Sequence, residues 1–323
     1  MQTRQLGRTG LTVSRVCFGA MTFGSQADAG EAQRIVDCCL AGGVNFFDTA
    51  NVYNQGESER ILGRCLAGKR REIVLASKVR GRMGSGGDIY EGLSRASIFR
   101  AVDASLDRLG TDYLDIYYLH HPDPAVPLEE SLEALERLVE AGKIRFPALS
   151  NYAAWQVTEA QWIAADRSFT PATVTQPMYN LLARGLDAEY LPMARQLGIF
   201  TCIYNPLAGG LLTGKQQKER PLPGTRFDNN QSYLDRYWHP QCFAAVDELA
   251  AAGRLHGRSL VSVALNWLYH HSPAGCLILG ASRLEQLREN LSALDDGPLP
   301  ADLLANCDEV WSSLRGVTPK YNR

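Results

Sequence analysis

The 323-residue sequence predicts a closed (β/α)8 barrel, and three observations predict it. Eight short, nearly continuous apolar runs alternate with amphipathic segments of helical period. Runs apolar on both faces belong in a parallel sheet covered by helices on either side. Eight such strand–helix units match the count of the barrel. An open doubly wound sheet would instead need a glycine-rich phosphate fingerprint after the first run, and "CFGAMTFG" is not one.

"TRQLGRTGLTVS" comes first, with turn glycines between short alternating runs, and reads as an N-terminal hairpin. The barrel strands are then "RVCFGA", "VNFFDTA", "IVLASKV", "LDIYYLHHP", "IRFPALSN", "TVTQPMYN", "IFTCIYNP" and "CLILGAS". Helical patterns lie near 29–42, 57–68, 95–109, 129–141, 154–166, 187–198, 260–271 and 284–294. Residues 209–240, rich in Gly, Pro, Asn and charge, form a long loop after the seventh strand. Loops of that length inside a compact domain are more often functional than not. One further helix follows residue 301. With no internal repeat, low-complexity tract or linker, residues 1–323 read as a single barrel domain.

Composition narrows the function. The formal net charge of −2 supplies no basic field, so neither nucleic acid nor an anionic membrane is an expected partner. The first residues contain no apolar signal core, and no run of ~18 apolar residues occurs. A soluble, cytoplasmic protein is expected, of unspecified oligomeric state. Eight cysteines are scattered without a C-x-x-C pair, several in apolar stretches, and read as buried thiols rather than disulfides or metal ligands.

In such a barrel the C-terminal ends of the strands face the active site. The second strand ends at Asp48, with Tyr53 just beyond it, and the third ends at Lys78. The fourth delivers His120 and His121, the fifth Ser150 and Asn151, the sixth Gln176 and the seventh Tyr204. Each alone has an ordinary explanation: Asp as a helix cap, Tyr as packing, Lys as a solvated charge. The paired histidines with Asp123 would also suit a metal-dependent barrel hydrolase.

Taken in order, "NFFDTANVYNQGESERILG", "ASK", "LDIYYLHHPDP", "GKIRFPALSN", "YNPLAGGLLTGK" and "GASRLEQLREN" resemble the aldo-keto reductase superfamily from about residue 4 to about residue 294. The later motifs look most like the aflatoxin-aldehyde and succinic-semialdehyde reductase branch, and "HHPDPAVPLEE" also resembles the potassium-channel β-subunit branch. The resemblance implies NADPH-dependent reduction of a carbonyl without a Rossmann domain. Tyr53 is then the acid that protonates the developing alkoxide. Lys78 is the ammonium that lowers the phenol's pKa, Asp48 fixes Lys78, and His120 orients the substrate oxygen. Ser150, Asn151 and Gln176 match positions that bind the nicotinamide carboxamide, and Tyr204 matches the aromatic that stacks on the ring. Leu207, Gly209 and Lys215 match the pyrophosphate loop. Gly280, Ser282, Gln286, Glu289 and Asn290 match the adenosine end, with Arg283 or Arg288 available for a 2′-phosphate. The alternative the resemblance leaves open is a nicotinamide-binding, redox-sensing regulatory subunit.

Phe146-Pro147-Ala148 stands where the family usually has Tyr-Ile-Gly. Proline cannot donate to a central ladder, so disturbed pairing on the fifth strand is expected. "GGLLTGKQ" nearly spells a nucleotide P-loop, but Gln216 occupies the place of the required hydroxyl. For the substrate, Met21, Phe23, Tyr237 and Trp238 are expected to line an apolar mouth. Arg226 and Arg323 resemble positions that face a substrate carboxylate in the semialdehyde-reducing branch.

Overall fold

The computed structural model describes residues 1–85, 89–228 and 230–317. Strands β1 (Thr3–Gln5) and β2 (Thr12–Ser14) pair antiparallel as the expected hairpin. The eight strands that follow are β3 (Val16–Gly19), β4 (Phe46–Asp48), β5 (Val74–Val79), β6 (Leu114–Leu119), β7 (Ile144–Ser150), β8 (Val174–Gln176), β9 (Phe200–Ile203) and β10 (Cys276–Leu279). They are all parallel and close on themselves in sequence order, β10 returning to β3. The fold is therefore a (β/α)8 barrel.

Alternation along each strand sorts its residues. Phe46, Val74, Ala76, Ile116, Tyr118, Ala148, Val174, Phe200, Cys202, Cys276 and Ile278 fill the interior together with Cys17, and the hairpin's Leu6 and Val13 join that cluster. Their strand neighbours, such as Phe18, Phe47, Leu75, Tyr117 and Leu149, pack outward into a second core with the helices.

The helices are α1 (Ala29–Ala41), α2 (Glu57–Cys65), α3 (Arg95–Leu109), α4 (Leu128–Glu140), α5 (Ala154–Arg167), α6 (Tyr190–Leu197), α7 (Gln231–Tyr237), α8 (Pro240–Leu255), α9 (Leu260–Asn266), α10 (Leu284–Ala293) and α11 (Ala301–Arg315). Asp28, Ser94 and Ser259 cap α1, α3 and α9 by accepting from backbone N–H groups in their first turns. Helices α7 and α8 were not expected from the sequence; α8 packs against the C-terminal α11. No helix among the described residues is long and apolar enough to cross a membrane. All eight cysteines are free thiols, and all but Cys38 are buried.

The expected disturbance at Pro147 is absent. Pro147 pairs in register with Tyr117, and Ala148 with Val174. The Pro147 carbonyl accepts from the Thr173 N–H at 3.4 Å, so its missing donor faces the β8 side. Strand β8 begins only at Val174, so the lost bond falls just below the ladder.

Candidate active site

At the C-terminal rim the backbone leaves several strands by sharp left-handed turns. Arg80 after β5 (φ 148), Asn151 after β7 (φ 61) and Asn205 after β9 (φ 66) all have positive φ. Asn tolerates that region through local side-chain hydrogen bonds, and Arg does so only at a cost. The turns open a cavity of about 980 Å³ at this end of the barrel.

Asp48, Tyr53, His120 and Lys78 converge at its floor. Lys78 is wholly buried and forms an ion pair with Asp48, and its Nζ also donates to the Thr49 carbonyl at 2.7 Å. The Asp48 carboxylate accepts a second bond from Gln176 Nε2 at 2.9 Å. The Lys78 ammonium lies 5.1 Å from the Tyr53 ring centroid, and His120 meets that ring edge-on at 5.8 Å. Tyr53 is carried by a loop in which Asn54, Gln55 and Gly56 all have positive φ. Asn54 Nδ2 ties this loop to the Met21 and Phe23 carbonyls at 3.1 and 2.6 Å.

Electrostatics correct one expectation. Tyr53 lines the cavity half-buried; burial raises the phenol's pKa, and the nearby Lys78 lowers it but only partly opposes this. Burial alone would strip Lys78 of its proton, but Asp48 and the phenol outweigh it and hold the ammonium charged. Burial lifts the Asp48 carboxyl against the pull of Lys78, so the two titrate as a pair. His120 is driven well below the ordinary histidine value by burial and then by Lys78. At neutral pH the site therefore holds a protonated phenol, a charged ammonium and a neutral imidazole.

The remaining walls follow the strand order. Asn151 donates to the His120 carbonyl and to Ser150 Oγ, and accepts from the Tyr204 hydroxyl at 2.6 Å. Ser150 donates on to the Gln176 carbonyl. Leu207, Gly209 and Lys215 line the loop side, and Gly280, Ser282, Gln286, Glu289 and Asn290 the far end. Gly209 is obligatory: its φ is 70, and a Cβ there would stand 2.7 Å from the Tyr233 ring. Gln286 Oε1 accepts from both the N–H and the hydroxyl of Ser282, and Lys215 bridges to Glu289 at 3.8 Å.

The cavity wall carries Lys215, Arg226, Arg236 and Arg283 against two carboxylates, Asp48 and Glu289, each already paired with a lysine. Amide and hydroxyl groups share this wall with Arg226, Arg236 and Arg283, for which the described residues supply no carboxylate partner. In size and donor chemistry this fits an elongated polyanion such as a nicotinamide dinucleotide.

Met21 and Arg226 line the cavity, but Phe23, Tyr237 and Trp238 do not. Phe23 is buried against Phe18, and the Tyr237 hydroxyl accepts from Asn180 and Asn205. Trp238 lies 5.1 Å from Phe227 and 5.0 Å from Phe243, because the unforeseen α8 offers it an aromatic partner. Arg288 is not in the wall, and Arg323 lies outside the described residues. His121 stacks on His120 at 4.7 Å; among the described residues no three His, Cys, Asp or Glu groups are placed to hold a metal. Sequence reasoning missed Asn205, Gln26 and Arg236. The first has a visible signal, an Asn between a strand exit and a proline; its Oδ1 accepts from Gly209 N at 2.7 Å. Gln26, which donates to the Gly224 carbonyl across the mouth, has none.

Comparison with known proteins identifies the family. The family model described as "Aldo/keto reductase family" matches residues 15–312. The chain is 36% identical to the uncharacterized oxidoreductase YrpG of Bacillus subtilis, covering 99% of both. It is 38% identical to a probable voltage-gated potassium channel subunit beta of Arabidopsis thaliana, covering 93% of both. It is 36% identical to the human aflatoxin B1 aldehyde reductase member 2, over 94% of this chain and 88% of the relative.

Proposed function

The chain belongs to the aldo/keto reductase family, and we propose that it is a cytoplasmic, single-domain oxidoreductase that reduces aldehydes and ketones to alcohols with NADPH. The observation that carries this proposal is the convergence of Tyr53, Lys78, Asp48 and His120 on the floor of one cationic, dinucleotide-sized cavity. When bound, NADPH supplies a hydride to the carbonyl carbon. The chain's own work is to hold the carbonyl oxygen and to give it a proton.

His120, neutral at neutral pH, donates a hydrogen bond to that oxygen and orients it. The Tyr53 phenol, kept protonated by its surroundings, releases its proton to the oxygen as charge develops there. An alkoxide is a far stronger base than a phenolate, so the transfer does not require a lowered pKa. Lys78 stabilises the phenolate left behind, and Asp48 and Gln176 hold Lys78 in place. For the cofactor, Ser150, Asn151, Gln176 and Tyr204 suit the nicotinamide end, and Leu207, Gly209 and Lys215 suit the pyrophosphate. Gly280, Gln286, Glu289 and Asn290 suit the adenosine, and Ser282 and Arg283 favour a 2′-phosphate. Arg226, with Arg236 beside it in the wall, supports a preference for aldehydes bearing an anionic group, and Arg323 is proposed to share that task.

The test is loss of NADPH absorbance across a panel of aldehydes, with NADH run in parallel and Tyr53→Phe as control. Absence of consumption, or turnover unchanged in Tyr53→Phe, refutes the reaction; preference for NADH refutes only the cofactor assignment. Comparing kcat/KM for succinic semialdehyde with that for an uncharged aldehyde of equal length tests the substrate, and a ratio near unity removes it. The 38% identity to a channel β-subunit favours a second reading, a nicotinamide-binding regulatory subunit. Slow turnover together with stable capture of a membrane partner would favour it over the enzyme.

A further inference from the structure

At the closed end of the barrel, opposite the cavity, a buried cation has no anion supplied by the described residues. Arg15, between β2 and β3, is 4% exposed. Its guanidinium lies over the Tyr269 ring, 4.4 Å from the centroid, and its Nη1 makes one long hydrogen bond, to Gln2 Oε1 at 3.4 Å. Its Nε is buried without a partner. Burial and then the neighbouring Arg4 push its pKa down, while Tyr269 and Cys276 push it up. Neither of these two bears a charge at neutral pH, because burial raises the phenol and raises the thiol further still. Next to Tyr269, with ring centroids 5.1 Å apart, His270 also has a buried and unpartnered nitrogen, Nε2.

A guanidinium cannot escape burial by shedding its proton, unlike a buried lysine or histidine. Contact with an aromatic face offsets little of the lost hydration. The like charge of Arg4, itself exposed to solvent, makes the deficit of Arg15 worse, and in folded proteins a buried charge is paired. An oxyanion answers both orphaned nitrogens and the uncompensated charge, because it takes two parallel N–H bonds from an arginine edge and a third from an imidazole N–H. We propose that Arg15, with Arg4 and His270 beside it, forms an oxyanion-binding site for a phosphate or carboxylate group. None of its residues lines the large cavity, so it is separate from the catalytic end.

The experiment is thermal unfolding of the full chain against inorganic phosphate, with chloride balancing ionic strength and acetate in a parallel arm. A ligand that binds only the folded state raises the Tm saturably. The wild type is expected to show such a rise, Arg15→Met to lose it, and the Lys215→Ala/Arg283→Ala variant of the large cavity to keep it. Saturation by phosphate alone names a phosphate source, and saturation by acetate a carboxylate. Persistence of the rise in Arg15→Met overturns the proposal, as does its loss only in the cavity variant. Absence of any saturable rise in the wild type also overturns it, because water then suffices. Should Arg15→Met not fold, Arg4→Ala and His270→Gln replace it. A severalfold increase in the half-saturating concentration in either supports the site, and an unchanged one in both overturns it.

Discussion

Replacing Lys78 by Met tests the proposed chemistry most directly. The ammonium is wholly buried 5.1 Å from the Tyr53 ring centroid. At an effective dielectric of about 20, a unit charge at that spacing stabilises a phenolate by roughly 3 kcal/mol. Removing it should slow proton donation by about two orders of magnitude in kcat. The same substitution strands Asp48 as an unpaired buried carboxylate, and breaking such a pair costs about 3–5 kcal/mol of stability. The two effects separate in a cycle. Asp48→Asn/Lys78→Met removes both charges, so it should regain most of the lost stability, measured by urea unfolding, while kcat for aldehyde reduction stays low. The high-pH limb of kcat, set by the phenol, should move further up in both variants. If Lys78→Met kept kcat within about threefold of wild type while remaining folded, the ammonium would have no part in the chemistry.

Tyr53→Phe should lower kcat by roughly 10²–10⁴ while shifting stability by less than about 1 kcal/mol; NADPH oxidation and urea titration read the two, and a rate near wild type would remove Tyr53 as the acid. The depressed pKa of His120 means that the unfolded chain binds a proton the folded chain refuses, so stability should fall as pH drops below the ordinary value of 6.5. His120→Gln should flatten the plot of Tm against pH below that value, and an unchanged slope would assign the acid sensitivity elsewhere. Arg108 Nε pairs with the fully buried Glu59 at 2.7 Å. Arg108→Met should therefore destabilise by about 3–5 kcal/mol in urea, and a change below about 1 kcal/mol would show that Glu59 finds another partner or a proton.

The barrel and its floor were legible because strand periodicity and strand exits are local properties of the chain. Eight apolar runs mark eight strands, and Asp48, Lys78, His120, Ser150, Gln176 and Tyr204 stand at or next to their ends. What was missed depends on neighbours that the sequence does not announce. Helix α8, "PQCFAAVDELAAAGRL", carries alanine around much of its circumference, so its polar and apolar faces hardly contrast. Without α8 in view, Trp238 looked like a free aromatic at the mouth rather than a partner for Phe243. The direction of the Tyr53 shift needed its burial in the fold; the pairing with Lys78 told only half of it. Pro147 looked disruptive because the length of β8, which decides what its missing donor faces, is set in three dimensions.

The same alternation explains why an acid and an ammonium sit on hydrophobic strands. Phe46 points into the barrel, Phe47 out toward the helices, and Asp48 is again on the inward register, one layer nearer the rim. Ala76 precedes Lys78 in the same way, as do Tyr118 before His120, Ala148 before Ser150, Val174 before Gln176, Cys202 before Tyr204 and Ile278 before Gly280. Apart from Tyr53, which a loop carries, the polar groups at the floor of the cavity are thus each two residues beyond an interior residue of their own strand. A one-residue slip on any strand would expose its apolar set and turn its functional side chain into the helical layer. Burial of Phe46, Ala76 or Val174 therefore fixes more than stability: it fixes which way Asp48, Lys78 or Gln176 points. Core packing and site geometry are set by one register, and for that reason the positions of the candidate catalytic groups could be read from apolar residues that take no part in the chemistry.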